Sequence, residues 1–242
     1  MAPLIIIKTG DSFADVIEQL GNFEQLFING LSAPGSLSIE VIDARHASLP
    51  DPTTLSGAVI TGSHAMVTDR EAWSEALKPW LQQALAVDLP LLGVCYGHQL
   101  MADALGGEAG YHPAGRECGS FAIQLEDCAG SDPLFSGLPR TFPAHLTHSQ
   151  TVLSAPASAE ILARNAHDPH QALRYGPHQW SVQFHPEFNA EVMQRYTAHQ
   201  RDALEQQGVD PEALYKGICS TPDASSLLAR FAELVARQSN AA

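Results

Sequence analysis

The chain has 242 residues, 45% hydrophobic and only 17% charged, which suits a packed core and excludes a disordered or coiled-coil chain. Its 27 acidic against 13 basic residues leave a net charge of −14, with no Lys/Arg cluster to reverse that field, so nucleic acid is not an expected partner. No apolar run reaches membrane-spanning length and no basic, cleavable leader opens the chain, which excludes a membrane and leads us to expect a soluble, reducing, cytoplasmic setting.

The elements alternate from the start. Leu4 to Ile7 reads as a buried strand, and Asp11 or Ser12 as the cap of a helix carrying Phe13, Val16, Ile17 and Leu20 on one face, closed by Gly21. Phe23 to Ile28 suits a second short helix, Leu37 to Asp43 a second strand, and Gly57 to Thr61 a third. Two helical pieces are expected next, Ala72 to Leu77 and Pro79 to Val87, with Pro79 in a first helical turn. An apolar run from Leu89 to Val94 then delivers the chain to Cys95, and His98 to Leu105 is helical.

After Gly106-Gly107 the pattern changes. Ser120 to Leu125, Ala144 to Thr147, Ala159 to Arg164, Gln171 to Tyr175 and Gln179 to Phe184 are strand-like, with one short helical turn at Asp132 to Leu138. Ala190 onward is helical again, with a helix start at Thr221-Pro222-Asp223 and an apolar stripe of Leu227, Leu228, Phe231, Leu234 and Val235. The expected fold class is α/β: a mostly parallel central sheet with helices on both faces, an antiparallel extension and C-terminal helices. One domain is expected over 1–242, with its core at about 4–188 and a helical extension at about 189–240.

Two stretches carry the chemistry. Gly93-Val-Cys95-Tyr-Gly97 places a thiol at a strand–turn–helix junction, where a Cβ at either glycine would collide with a neighbour. The helix N-terminus beside it favours a thiolate. Gln183-Phe-His185-Pro-Glu187 sets an imidazole two residues from a carboxylate, on one side of an extended backbone, so that Glu187 can orient His185. A lone buried Cys is usually a small core residue and a lone His-x-Glu is common. Both at strand ends of one α/β domain favour a nucleophile, its base and the base's orienter.

Gly-Val-Cys-Tyr-Gly-His-Gln and Gln-Phe-His-Pro-Glu resemble the two signatures of the class I (triad-type) glutamine amidotransferases, the amidotransferase domain of GMP synthases in particular, over roughly Leu4 to Phe188. The resemblance implies a flavodoxin-like sheet, attack by Cys95 on the side-chain amide of glutamine, His185 as base and then acid, and Glu187 as its orienter. It implies an oxyanion hole from the backbone N–H groups of Ser63 and Tyr96, beside Gly62. It also implies glutamine contacts from Gly62, from Gln99 and from the loop His148-Ser149-Gln150. Three positions depart from the pattern: Ser63 replaces a second glycine, and Ser149 and Gln150 replace Gly-Asp. These departures bring another γ-glutamyl compound into view as substrate.

No Walker-type loop and no Ser-Gly-Gly-x-Asp-Ser loop occurs in this sequence, so the chemistry that accepts ammonia is expected from a synthetase subunit or not at all. Three functions follow, in this order: a glutaminase or amidotransferase component, a stand-alone γ-glutamyl peptidase or hydrolase with the same triad, and a non-catalytic regulatory module. No cofactor and no metal is expected. Cys118, Cys128 and Cys219 read as structural, buried residues, and Trp73, Trp80 and Trp180 as packing. His64, His112, His145, His167, His170 and His178 read as solvated or locally bonded, and His98 has no chemical role.

Overall fold

The computed structural model describes residues 2–31 and 37–241. Its first half runs β1 (Leu4–Lys8), α1 (Ala14–Leu20), α2 (Phe23–Leu31), β2 (Ile39–Asp43), β3 (Gly57–Ile60), α3 (Ala72–Ala86), β4 (Leu91–Val94) and α4 (Tyr96–Ala104). The strands of the second half are β5 (Glu108–Tyr111), β6 (Glu117–Leu125), β7 (Thr141–His148), β8 (Gln150–Ser154), β9 (Glu160–Arg164), β10 (Ala172–Gly176) and β11 (Gln179–Val182). Four helices close the chain: α5 (Ala190–His199), α6 (Arg201–Gln206), α7 (Pro211–Gly217) and α8 (Pro222–Ala241).

The main sheet has the order β2-β1-β3-β4-β11-β10-β9-β6-β7. From β2 to β11 every neighbouring pair is parallel, and from β11 to β7 every pair is antiparallel. This is the mixed α/β architecture expected from the alternating pattern. The period-2 geometry of β1 shows why it is covered twice: Leu4 and Ile6 enter the core under α2 and α8, while Ile5 and Ile7 enter the one under α3 and α4. None of the described helices is long and apolar enough to cross a membrane.

Several local expectations are corrected. Pro79 does not start a helix; it lies inside the continuous α3. An interior proline costs about 3 kcal/mol. Burial of Leu77 and Leu81 against the sheet, at roughly 2 kcal/mol each, offsets it. The N-cap of α1 is Phe13, because Asp11 is drawn instead to Lys8 at 2.8 Å and Arg45 at 2.7 Å. The expected helical turn at 132–138 is a hydrogen-bonded turn. Asp132 Oδ1 accepts the N–H groups of Leu134 and Phe135, and the helical turn proper precedes it at Asp127–Ser131.

β5 and β8 carry no clear period-2 signal, yet they pair as a small second sheet. The stretch His148-Ser149-Gln150 is accordingly not an open loop but the junction at which β7 hands over to β8. The C-terminal apolar stripe docks on the main sheet. Leu227, Leu228, Phe231 and Val235 are buried in the main core, and Phe231 meets Trp180 of β11 edge-on at 6.5 Å.

Candidate active site

Three neighbouring parallel strands deliver the site at their C-terminal ends, the edge where open α/β sheets bind ligands. β3 runs into Gly62 and Ser63, β4 into Cys95, and β11 into Gln183 and His185. The register holds these ends level: Ile60 lies opposite Gly93, and Val94 opposite Val182.

Cys95 occupies a strained backbone conformation, φ 51° and ψ −98°, which costs a non-glycine residue roughly 1–3 kcal/mol. Hydrogen bonds on both sides hold it there: its N–H donates to Val182 O at 2.9 Å, and its carbonyl accepts from Gln99 at 3.1 Å. A Cβ on Gly93 would lie 2.7 Å from Gly97 O, and one on Gly97 2.7 Å from Ile60 O. The turn therefore closes only with glycine at both places. Its thiol faces Thr147 O of β7 at 3.9 Å.

His185 and Glu187 meet as expected but by another route. β11 ends at Val182, so the pair sits in a turn and not on an extended strand, and the turn brings His185 Nδ1 to 2.7 Å from Glu187 Oε1. The imidazole also stacks on Phe188, with centroids 4.2 Å apart and planes at 17°. Its Nε2 is buried without a protein partner. Burial by itself would lower the pKa of His185; the Glu187 carboxylate and the Cys95 sulfur outweigh it and push it up to about 10.

Of the remaining candidates, Ser63, Gln99, His148, Ser149 and Gln150 line one cavity of about 370 Å³ with Cys95 and His185, whereas Gly62 and Tyr96 stand behind its lining. The hydroxyl of Ser63 donates to Thr9 O at 2.9 Å and accepts the Ala65 N–H at 3.0 Å. A Cβ on Gly10 would lie 2.5 Å from that oxygen, so Gly10 makes the room. Tyr96 brings only its main chain to this edge, since its own hydroxyl is 2.5 Å from Ser74 Oγ.

Gln99 donates from Nε2 to Gln150 O at 2.6 Å and to Gln183 Oε1 at 3.1 Å, which leaves Oε1 as its polar atom for a ligand. His148 has a partner on each ring nitrogen, Gln150 O at 2.9 Å and the buried Glu117 carboxylate at 3.1 Å. Gln150 Nε2 donates to Thr68 Oγ1 at 2.5 Å. These three side chains brace the wall that residues 147–150 form along the cavity.

With this geometry in place, comparison with known proteins is decisive on kinship. The family model "Glutamine amidotransferase class-I" matches residues 17–201. The chain belongs to this family. It is 32% identical over 164 residues to a GMP synthase [glutamine-hydrolyzing] of Aeropyrum pernix, covering 68% of this chain but 28% of that protein. It is 26% identical to gamma-glutamyl peptidase 5 of Arabidopsis thaliana, covering 78% of this chain and 76% of the other. A solved glutamine amidotransferase from Methylobacillus flagellatus superposes with a TM-score of 0.76 at 21% identity, covering 99% and 95% of the two chains, which shows a shared fold. Members of the family are enzymes, and the chain spans about a quarter of the length of the first GMP synthases it matches.

The sequence reading missed the other half of the cavity. Phe13, His64 and Tyr196 form an aromatic side, with Tyr196 OH 2.8 Å from Ser12 Oγ and 3.2 Å from His64 Nε2. Arg116 and Gln200 line the cavity as well. Tyr196 lies on α5 and Gln200 caps that helix four residues on, with its N–H on Tyr196 O, a spacing that was legible. Arg116 gave no signal, because it is isolated in sequence and reaches the cavity only through the pairing of β6 with β7. Of the remaining cysteines, Cys118 is buried as expected, Cys128 is half-buried and Cys219 is exposed, a correction for the last two. His98 is fully buried and bonded to Ser181 Oγ at 2.7 Å, and Trp180 is packed in the core.

Proposed function

We propose that this chain hydrolyses the side-chain amide of glutamine, or of another γ-glutamyl compound, through a thioester on Cys95. The observation that carries the reading is the arrangement of His185. One ring nitrogen is tied to Glu187, and the other is unpartnered and buried in the cavity that Cys95 lines.

In this reading the proton shared by Cys95 and His185 rests on His185, whose pKa is pushed up to about 10, and Sγ attacks the amide carbon. The charge that develops on the amide oxygen is received by the backbone N–H groups of Ser63 and Tyr96. His185 returns its proton to the amide nitrogen, the C–N bond breaks, and ammonia or an amine leaves. Water, deprotonated by His185, then attacks the thioester, releasing the γ-carboxylate product and the thiol. Glu187 holds the imidazole in one tautomer throughout. Gly62, Gln99, His148, Ser149 and Gln150 shape the pocket for the γ-glutamyl group. A reducing compartment such as the cytoplasm keeps Cys95 a thiol. The ammonia passes to a synthetase subunit if glutamine is the substrate.

A second reading, the stand-alone γ-glutamyl peptidase, is favoured by coverage: the chain spans 76% of the Arabidopsis peptidase but 28% of the Aeropyrum GMP synthase. One assay separates the two. Purified protein and Cys95→Ala are incubated with glutamine and, separately, with γ-glutamyl peptides, while ammonia and free glutamate are followed. Glutamine turnover that vanishes in the variant supports the first reading, and turnover of peptides alone supports the second. Inertness toward both would overturn both and leave a regulatory module.

A further inference from the structure

Arg116 is the one lysine or arginine among the described residues that line the cavity, and no aspartate or glutamate lines it. In a chain of net charge −14 that is an uncommon local balance. The imidazoles that line the same cavity are each bonded within the protein: His148 to Glu117 and Gln150, His185 to Glu187, His199 to Asp15 and His64 to Tyr196.

The guanidinium is held but not neutralised. Its Nη1 donates to Gln200 Oε1, and the Arg116 backbone N–H donates to Gln207 Oε1 at 2.9 Å. Gln200 in turn donates to Thr147 Oγ1 at 2.6 Å, so its amide is fixed from both ends. Among the described residues Nε of Arg116 is buried without a partner and no carboxylate pairs with the side chain, while the neighbouring Glu117 carboxylate is engaged by His148, Asn165 and Gln171. A positioned arginine with unused donors and no counterion is matched by a carboxylate, whose two oxygens fit its planar fork.

The register says which carboxylate. Glu117 pairs with His148 and Cys118 with Thr147, so Arg116 stands at the β6 end facing the Ser149 side of the β7–β8 junction. That same strand end passes the thiol, with Thr147 O 3.9 Å from Cys95 Sγ. A γ-glutamyl group ends in an α-carboxylate, and Arg116 is the one guanidinium among the described residues that line the cavity with Cys95 and this wall. Resting on the γ-glutamyl reading above, we infer that Arg116, aimed by Gln200 of the C-terminal helices, binds the α-carboxylate of the substrate. Residues 189–206 thereby help to build the substrate site.

The test compares the γ-glutamyl amide that wild type turns over with the matching 4-aminobutanoyl amide, which lacks only the α-carboxylate. Wild type should prefer the former on the order of a hundredfold in kcat/KM, chiefly through KM. Arg116→Gln should lose that preference by falling on the γ-glutamyl amide alone, and Arg116→Lys should recover part of it. Equal losses on both amides, or an undiminished preference in Arg116→Gln, would overturn the assignment while leaving the enzyme reading intact. Calorimetry with L-glutamate provides a readout independent of turnover. Binding to Cys95→Ala should vanish in Cys95→Ala/Arg116→Gln, and binding that persists overturns the inference. Neither turnover nor glutamate binding in the parent proteins would overturn the γ-glutamyl reading itself, and this inference with it.

Discussion

Gly62 stands so close to His185 that a Cβ added to it would lie 3.0 Å from His185 Cε1 and 3.7 Å from Cys95 Cβ. The imidazole has little room to retreat, because Glu187 and Phe188 hold it on other sides. Gly62→Ala should therefore displace the ring and lower kcat on the order of 10²-fold, the scale of a misplaced reacting group. Steady-state kinetics beside a melting curve checks this; an unchanged kcat would mean that the ring is not critically placed.

Glu187→Gln should slow turnover by about 10²–10³, less than the complete loss expected of Cys95→Ala. The same substitution should lower the His185 pKa, which the Glu187 carboxylate helps to push up to about 10 from 6.5. A pKa raised on folding contributes stability that is fully present below about 6.5 and lost as pH rises through about 10. The stability gap between wild type and Glu187→Gln should accordingly shrink as urea titrations are moved from pH 7 to pH 10.5, and a constant gap would refute the coupling.

Ser63 turns its hydroxyl to Thr9 and Ala65, not into the cavity. Ser63→Gly should then leave kcat within a few-fold of wild type. Ser63→Val, which adds bulk beside Gly10 where Ser63→Gly adds none, should cost about 10²–10³ if that bulk moves the backbone donor. Comparable rates for the two variants would show that bulk beside Gly10 does not move the loop.

His98 lies wholly inside the fold, and burial lowers its pKa from 6.5 to about 3. The unfolded chain binds this proton more readily, so the associated stability is present above pH 6.5 and is lost as pH falls toward 3. Urea denaturation of His98→Gln should show a flatter acid limb between pH 6.5 and 4, by up to about 1.4 kcal/mol per pH unit. An unchanged slope would show that His98 does not contribute.

Phe231 is buried against Trp180 in the main core. Phe231→Ala should destabilise the protein by about 3–5 kcal/mol, measured by urea denaturation, with a change in tryptophan emission. A loss below about 1 kcal/mol would show that α8 is only loosely attached.

The parallel half of the fold was legible because buried strands write themselves as apolar runs and the turn at Cys95 as paired glycines. The continuity of α3 through Pro79 was not, since it depends on burying Leu77 and Leu81 against a sheet formed elsewhere. Nor was β8, whose partner β5 lies some forty residues away and whose pairing no local pattern announces.

Local chemistry within a few residues is what this sequence determines by itself: a thiol that must sit on a sharp turn, and an imidazole that must meet a carboxylate two residues on. Their approach to each other depends on β4 and β11 lying side by side although ninety residues separate them, and only the tertiary structure decides that. It also decides the cavity's electrostatics. Glu117 is drawn to His148, while Arg116, next to it in the chain, is left beside the cavity with no counterion among the described residues, because strand pairing sets which charges meet.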